Sequence, residues 1–188
     1  MEGEDWACCY ILVEKRSAAE VAELIKGRLG RQWRTEEEAA RQSVAWPSIG
    51  PTGLGWALLI DPHFEFGDAD VEMRVWSVGT RLVRLSYIGR EHFGNVKVWT
   101  DGNSSWEVSF EGETDKEPTI EGLFPYGLSA LAPPGASPEE YARVPAAAVR
   151  LLTGWEPRRV GEASFVTLEY DRTETVADWV LNRSAGTQ

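Results

Sequence analysis

The stretch that most constrains the fold is RLVRLSYIGREHFGNVKVWTDGNSSWEVSFE, residues 81–111, because its apolar residues recur at every second position. A period of two places alternate side chains on opposite faces of a strand, whereas a helix repeats about every 3.6 residues. Val83, Leu85 and Tyr87 share one face, as do Val96 and Val98, and Trp106, Val108 and Phe110; Glu107, Ser109 and Glu111 fall on the other. DGNS, from Asp101 to Ser104, is turn chemistry for a hairpin. A three-stranded antiparallel meander with one solvated face is therefore expected.

The flanks add helices to this sheet. Trp6 to Val13 reads as a buried strand, and SAAEVAELIKGRLG as an amphipathic helix with a Ser17/Glu20 capping box and a stop at Gly30. Thr35 and Glu38 repeat the capping box ahead of a short helix. WPSIGPTGLG reads as loop, and GWALLI as a strand ending at Asp61 and Pro62. Residues 71–78 fit a short helix capped by Asp68 and ended by Gly79. Residues 118–138, rich in proline and glycine, read as a long surface connection pinned by Phe124, Tyr126 and Leu128. Ser137, Pro138 and Glu140 start another helix, Pro145 restarts it, and Gly154 stops it. SFVTLEY suits a strand and TVADWVLNR a terminal helix. The expected fold class is α+β, a central antiparallel meander packed by amphipathic helices on one face. One domain spans residues 1–188, with an α/β core over 1–117, the connection over 118–138, and a C-terminal helical part over 139–188 packing on the core.

Thirty acidic against nineteen basic residues give a formal charge of −11, a field that repels phosphate backbones and anionic lipid surfaces. Nucleic acid and membrane are thus poor partners; the same field would steer a basic protein surface toward this one, but a merely soluble acidic protein has the same composition, and solubility alone is the simpler reading. The only cysteines, Cys8 and Cys9, are adjacent within an apolar run, so they cannot close a stabilising loop; they read as small hydrophobes in a reducing cytoplasm. Neither a signal-peptide pattern nor an apolar run of about 20 residues occurs. Nine tryptophans spread along the chain suggest core packing, with two or three reaching the surface.

The chain's densest chemical cluster is LIDPHFEFGDADVEM, where Asp61, Glu65, Asp68 and Asp70 surround His63 and Glu72 follows. As a calcium loop counted from Asp61 it fails, since Phe66 stands where glycine must turn the chain. Continued as a strand, it would place Asp61, His63 and Glu65 on one face as an open metal site. Two cysteines and two isolated histidines do not make a structural zinc site. GPTGLG lacks the lysine of a phosphate loop, and no Gly-x-Ser-x-Gly elbow is present. Neither a cofactor nor a catalytic set is expected, and the simplest reading of the cluster is a solvated acidic turn.

GWALLIDPHFEFGDADVEMRVWSVGTRLVRLSY, followed by FGNVKVWTDG and AAAVRLLTG, resembles actinobacterial domain families of unassigned function. Similar small acidic α+β proteins are grouped with immunity proteins of bacterial polymorphic-toxin systems. The likeness runs from about Trp6 to Gly154 and favours the helix over a strand for 71–78. It implies a noncatalytic cytoplasmic protein that masks a cognate basic toxin in a 1:1 complex. Asp61, His63, Glu65, Asp68, Asp70 and Glu72 would then form the partner-binding patch, which Glu111, Glu113, Asp115 and Glu117 could extend. The alternatives are a carboxylate-dependent hydrolase or ligand-binding enzyme with a tryptophan-lined site, and a structural or regulatory subunit of an assembly.

Overall fold

The computed structural model describes residues 7–41, 43–66, 69–112, 114–126, 131–132, 135–156 and 165–170. The apolar run ACCYILVE forms β1 (Ala7–Glu14), which pairs antiparallel with β4 (Trp56–Asp61) on one side and β5 (Arg81–Ile88) on the other. The meander follows as expected, β5 pairing with β6 (Phe93–Thr100) and β6 with β7 (Asn103–Glu111). Between β6 and β7, Asp101 and Gly102 both take the left-handed conformation that a tight hairpin requires.

The sheet is much wider than that meander. β8 (Thr119–Gly122) pairs with β7 at one end, while β3 (Ser48–Pro51), β9 (Phe165–Glu169) and β2 (Arg28–Arg34) extend the other. Among the described residues the result is one nine-stranded sheet of order β2-β9-β3-β4-β1-β5-β6-β7-β8, with every neighbour antiparallel. Two stretches expected to be loop thus donate strands: SIGP in the 46–55 segment and TIEG in the 118–138 connection. β9, by contrast, forms where SFVTLEY reads as a strand. The terminal helix expected in TVADWVLNR, and Leu128, lie outside the described residues.

Three of the helices carry the capping boxes legible in the sequence. They are α1 (Ala18–Leu24) with Ser17 and Glu20, α2 (Glu36–Ala39) with Thr35 and Glu38, and α4 (Pro138–Tyr141) with Ser137 and Glu140. α1 ends earlier than Gly30. Lys26 adopts the left-handed conformation and the Gly27 amide donates to the Ala22 carbonyl at 2.8 Å, closing the helix so that Arg28 can begin β2. α3 (Asp70–Trp76) forms where a helix was expected, but Ala69 is its cap residue, without a side-chain hydrogen bond, and Asp68 lies outside the described residues. α5 (Val144–Thr153) restarts after α4 with a proline in its first turn and stops at left-handed Gly154.

The alternation of the strands sends their side chains into two cores. Tyr10, Leu12, Leu58, Ile60, Val83, Leu85, Val96, Val98, Val108 and Phe110 share one with Ala39 of α2, Tyr141 of α4 and Val144, Ala148 and Val149 of α5. Cys9, Ile11, Val13, Leu59, Leu82, Trp99, Val166 and Leu168 share the other with Val21 and Ala22 of α1 and Met73 and Trp76 of α3. The expected single solvated face and one-sided helices are therefore corrected. Leu82, Arg84, Ser86 and Trp99, at the supposedly wet positions, are all buried; α3 packs on that side against β6, while α1 covers the same side over β2, β3 and β4. Gly94 serves the opposite side: a side chain there would meet Pro145 at 3.0 Å and the Ala142 carbonyl at 3.3 Å, where α5 begins against β6. Of the described tryptophans, Trp56, Trp76, Trp99, Trp106 and Trp155 are buried, and Trp33 is 64% exposed.

Candidate functional site

β4 runs out at Asp61, and the chain turns before α3. The turn is built inward: Asp61 Oδ1 accepts the His63 amide at 3.1 Å and Oδ2 the Phe66 amide at 2.9 Å, while Phe64 takes a left-handed conformation. Asp61 is wholly buried. Burial raises its pKa from 3.8 to about 6, and the Glu65 charge adds to the rise, against the pull of the two amides and His63. The carboxyl ties the turn to the end of β4 and does not reach the surface. The strand does not continue to Glu65, so no common face of Asp61, His63 and Glu65 forms.

The remaining members of the cluster go separate ways. His63 is exposed, and its ring Nε2 meets the Val44 carbonyl oxygen at 2.5 Å, bracing the preceding loop. Glu65 accepts the Tyr170 hydroxyl just after β9. Tyr170 packs edge-on against Trp46 and tilted against Phe66, at ring separations of 5.7 and 5.4 Å, and Phe66 packs on Trp76 at 5.6 Å. This aromatic row borders a cleft of about 390 Å³ lined by Lys26, Gly27, Arg28, Trp46, Glu169 and Tyr170.

Asp70, in the first turn of α3, faces the meander. Its oxygens meet Arg84 at 3.2 Å and Lys97 at 2.6 Å; Lys97 also reaches Glu107 at 3.3 Å, and Asn95 donates to Glu107. Arg84 and Lys97 sit over the Trp99 ring, 5.2 and 5.5 Å from its centre. Burial works against the Lys97 charge, yet Asp70 and Glu107 together hold its pKa above the ordinary lysine value. Two cations and two anions balance here, so the cluster neutralises itself. Asp70→Asn is expected to destabilise the chain by about 1 kcal/mol, since Asp70 is 42% exposed and solvent screens the pair. Urea unfolding checks this, and the loss should shrink in about 1 M salt.

Glu72 is half-buried on α3. Among the described residues no group of three or more His, Cys, Asp or Glu converges on a possible metal position. The expected patch is thus divided: Asp61 turns inward, Asp70 is claimed by two cations, and Glu65 meets a phenol. Sequence reasoning missed Arg84, Lys97 and Tyr170 as their partners. Arg84 and Lys97 left a signal, as charges set between apolar neighbours in VRL and VKV. The link from Glu65 to Tyr170 spans 105 residues and left none. The chain matches no protein-family model, no curated protein and no solved structure. Among the described residues no helix is long and apolar enough to cross a membrane.

Proposed function

We propose that this chain is a noncatalytic cytoplasmic binding protein of the immunity type, which neutralises a cognate basic toxin in a 1:1 complex through acidic surface. The observation that carries the reading lies on β8, the last strand of the sheet among the described residues. Glu121 stands directly opposite Glu107 across the β7–β8 ladder, and Glu107 is already engaged by Lys97 and Asn95. Glu121 has no ion pair among the described residues. Like charges in a directly opposed pair are destabilising, and an incoming cation would relieve them. Exposed Glu111 and Glu117 lie nearby in the chain, and Leu123, 91% exposed, offers apolar contact just past β8. Glu65 and Glu72 of the 61–72 stretch add acidity elsewhere.

Glu121→Gln tests this reading in two directions. The free chain should gain about 0.2–1 kcal/mol as the opposed charges disappear. The complex should weaken, because the partner loses its counter-charge. The partner is recovered by capture from the native cells at low and high salt. A single basic protein recovered stoichiometrically, released by salt, toxic alone and silenced by co-expression supports the proposal. A partner held equally well by Glu121→Gln removes β8 from the interface, and the absence of any toxic basic partner overturns the function.

A further inference from the structure

Residues 26–34, KGRLGRQWR, hold four cations and no acid in a chain of formal charge −11. The fold makes most of this stretch the terminal strand β2, paired with β9 on one side and with no strand beyond it among the described residues. Its register, Leu29 opposite Leu168 and Trp33 opposite Val166, puts both apolar side chains on the α1 side of the sheet. They are nevertheless 41% and 64% exposed. Between these pairs β2 bulges, and bulges and charged side chains both guard open sheet edges. An exposed tryptophan does the opposite, adding apolar area beside backbone groups that lack a strand partner among the described residues. Arg28 meets Glu169 at 2.9 Å, and Arg34 donates to Ser48 and Gln32 at 3.1 and 2.8 Å. Arg31 is exposed and has no ion pair among the described residues.

We propose that β2 docks an extended acidic segment of a partner protein by strand addition, with Leu29 and Trp33 covering its apolar side chains and Arg31 and Arg34 meeting its carboxylates. Charge complementarity selects this occupant. A second β2 would set arginine against arginine. A nucleic acid brings phosphates but no peptide edge to pair with the amides and carbonyls of β2, and its length would feel the repulsion of the whole acidic chain. Side chains of an added strand alternate between faces, so the segment that fits alternates acidic and apolar residues. This surface is distinct from the β8 edge and does not depend on it.

The test is a titration of the full chain with an end-capped peptide alternating glutamate and valine, using a lysine–valine peptide as control and reading amide exchange. Binding that salt weakens and that slows exchange at residues 32–34 is expected. Arg31→Glu should weaken it about tenfold. Arg150→Glu, the same charge change at an exposed position on α5, should leave it unaltered. Equal binding of the lysine peptide, or no protection of β2, overturns the proposal. So does oligothymidylate binding that Arg31→Glu abolishes without β2 protection, which would mark a general polyanion site. Self-association of the chain that blocks the peptide would assign β2 to a second copy instead.

Discussion

Replacing Trp99 with alanine is expected to remove about 3–5 kcal/mol of folding stability, the usual cost of deleting a large aromatic side chain from a packed core. Trp99 is wholly buried in the core shared by Leu82, Met73 and Trp76, where α3 meets the meander. Its ring also carries Arg84 and Lys97 above it, so the deletion opens a void beneath two cations. Trp99→Phe should cost less, about 2 kcal/mol, because an aromatic face is kept and far less volume is lost than in the alanine variant. The indole N–H adds little to that difference, since it has no hydrogen-bond partner among the described residues. Urea midpoints of the two variants decide the matter. Equal losses would show that the ring face is not what the site uses.

Replacing Asp61 with alanine should cost about 2–4 kcal/mol near pH 4.5, because the His63 and Phe66 amides of the turn lose both their acceptors at once. The deficit is expected to shrink as pH rises. Asp61 has a folded pKa of about 6 against an ordinary 3.8, so the fold favours its protonated form. The stability linked to this group is complete below the ordinary value and is lost as pH rises through about 6. A shift of roughly two units corresponds to about 3 kcal/mol across that window. Asp61→Asn cannot titrate there, so its stability relative to wild type should climb from about pH 4 to pH 7. Parallel stability curves for wild type and Asp61→Asn over that range would show that the carboxyl does not titrate in the window.

Local signals in the sequence were dependable wherever the deciding contacts were local. Ser17, Thr35 and Ser137 each sit three residues before a glutamate, and each capping box forms because all its atoms lie within one turn. The meander is equally legible, since β5, β6 and β7 are neighbours in sequence joined by short connections. Gly154 ends α5 for the same kind of reason. The end of α1 was misplaced because a lysine, Lys26, took the left-handed position that glycine would ordinarily mark.

The chain by itself determined its strand alternation, the starts of α1, α2 and α4, its acidity and the burial of Cys8 and Cys9. Only the tertiary structure decided the rest. β9 inserts between β2 and β3, joining segments more than a hundred residues apart, and no local period encodes that neighbour. Whether the second face of the meander met water or α3 depended on that assembly as well, because alternation separates two faces without saying what covers each. The acidic run 61–72 shows the same limit at one site. Its charges are plain in the sequence, but burial of Asp61 and the cross-strand cations beside Asp70 determine which of them a partner could meet. Charge is a property of residues, whereas its exposure is a property of the fold.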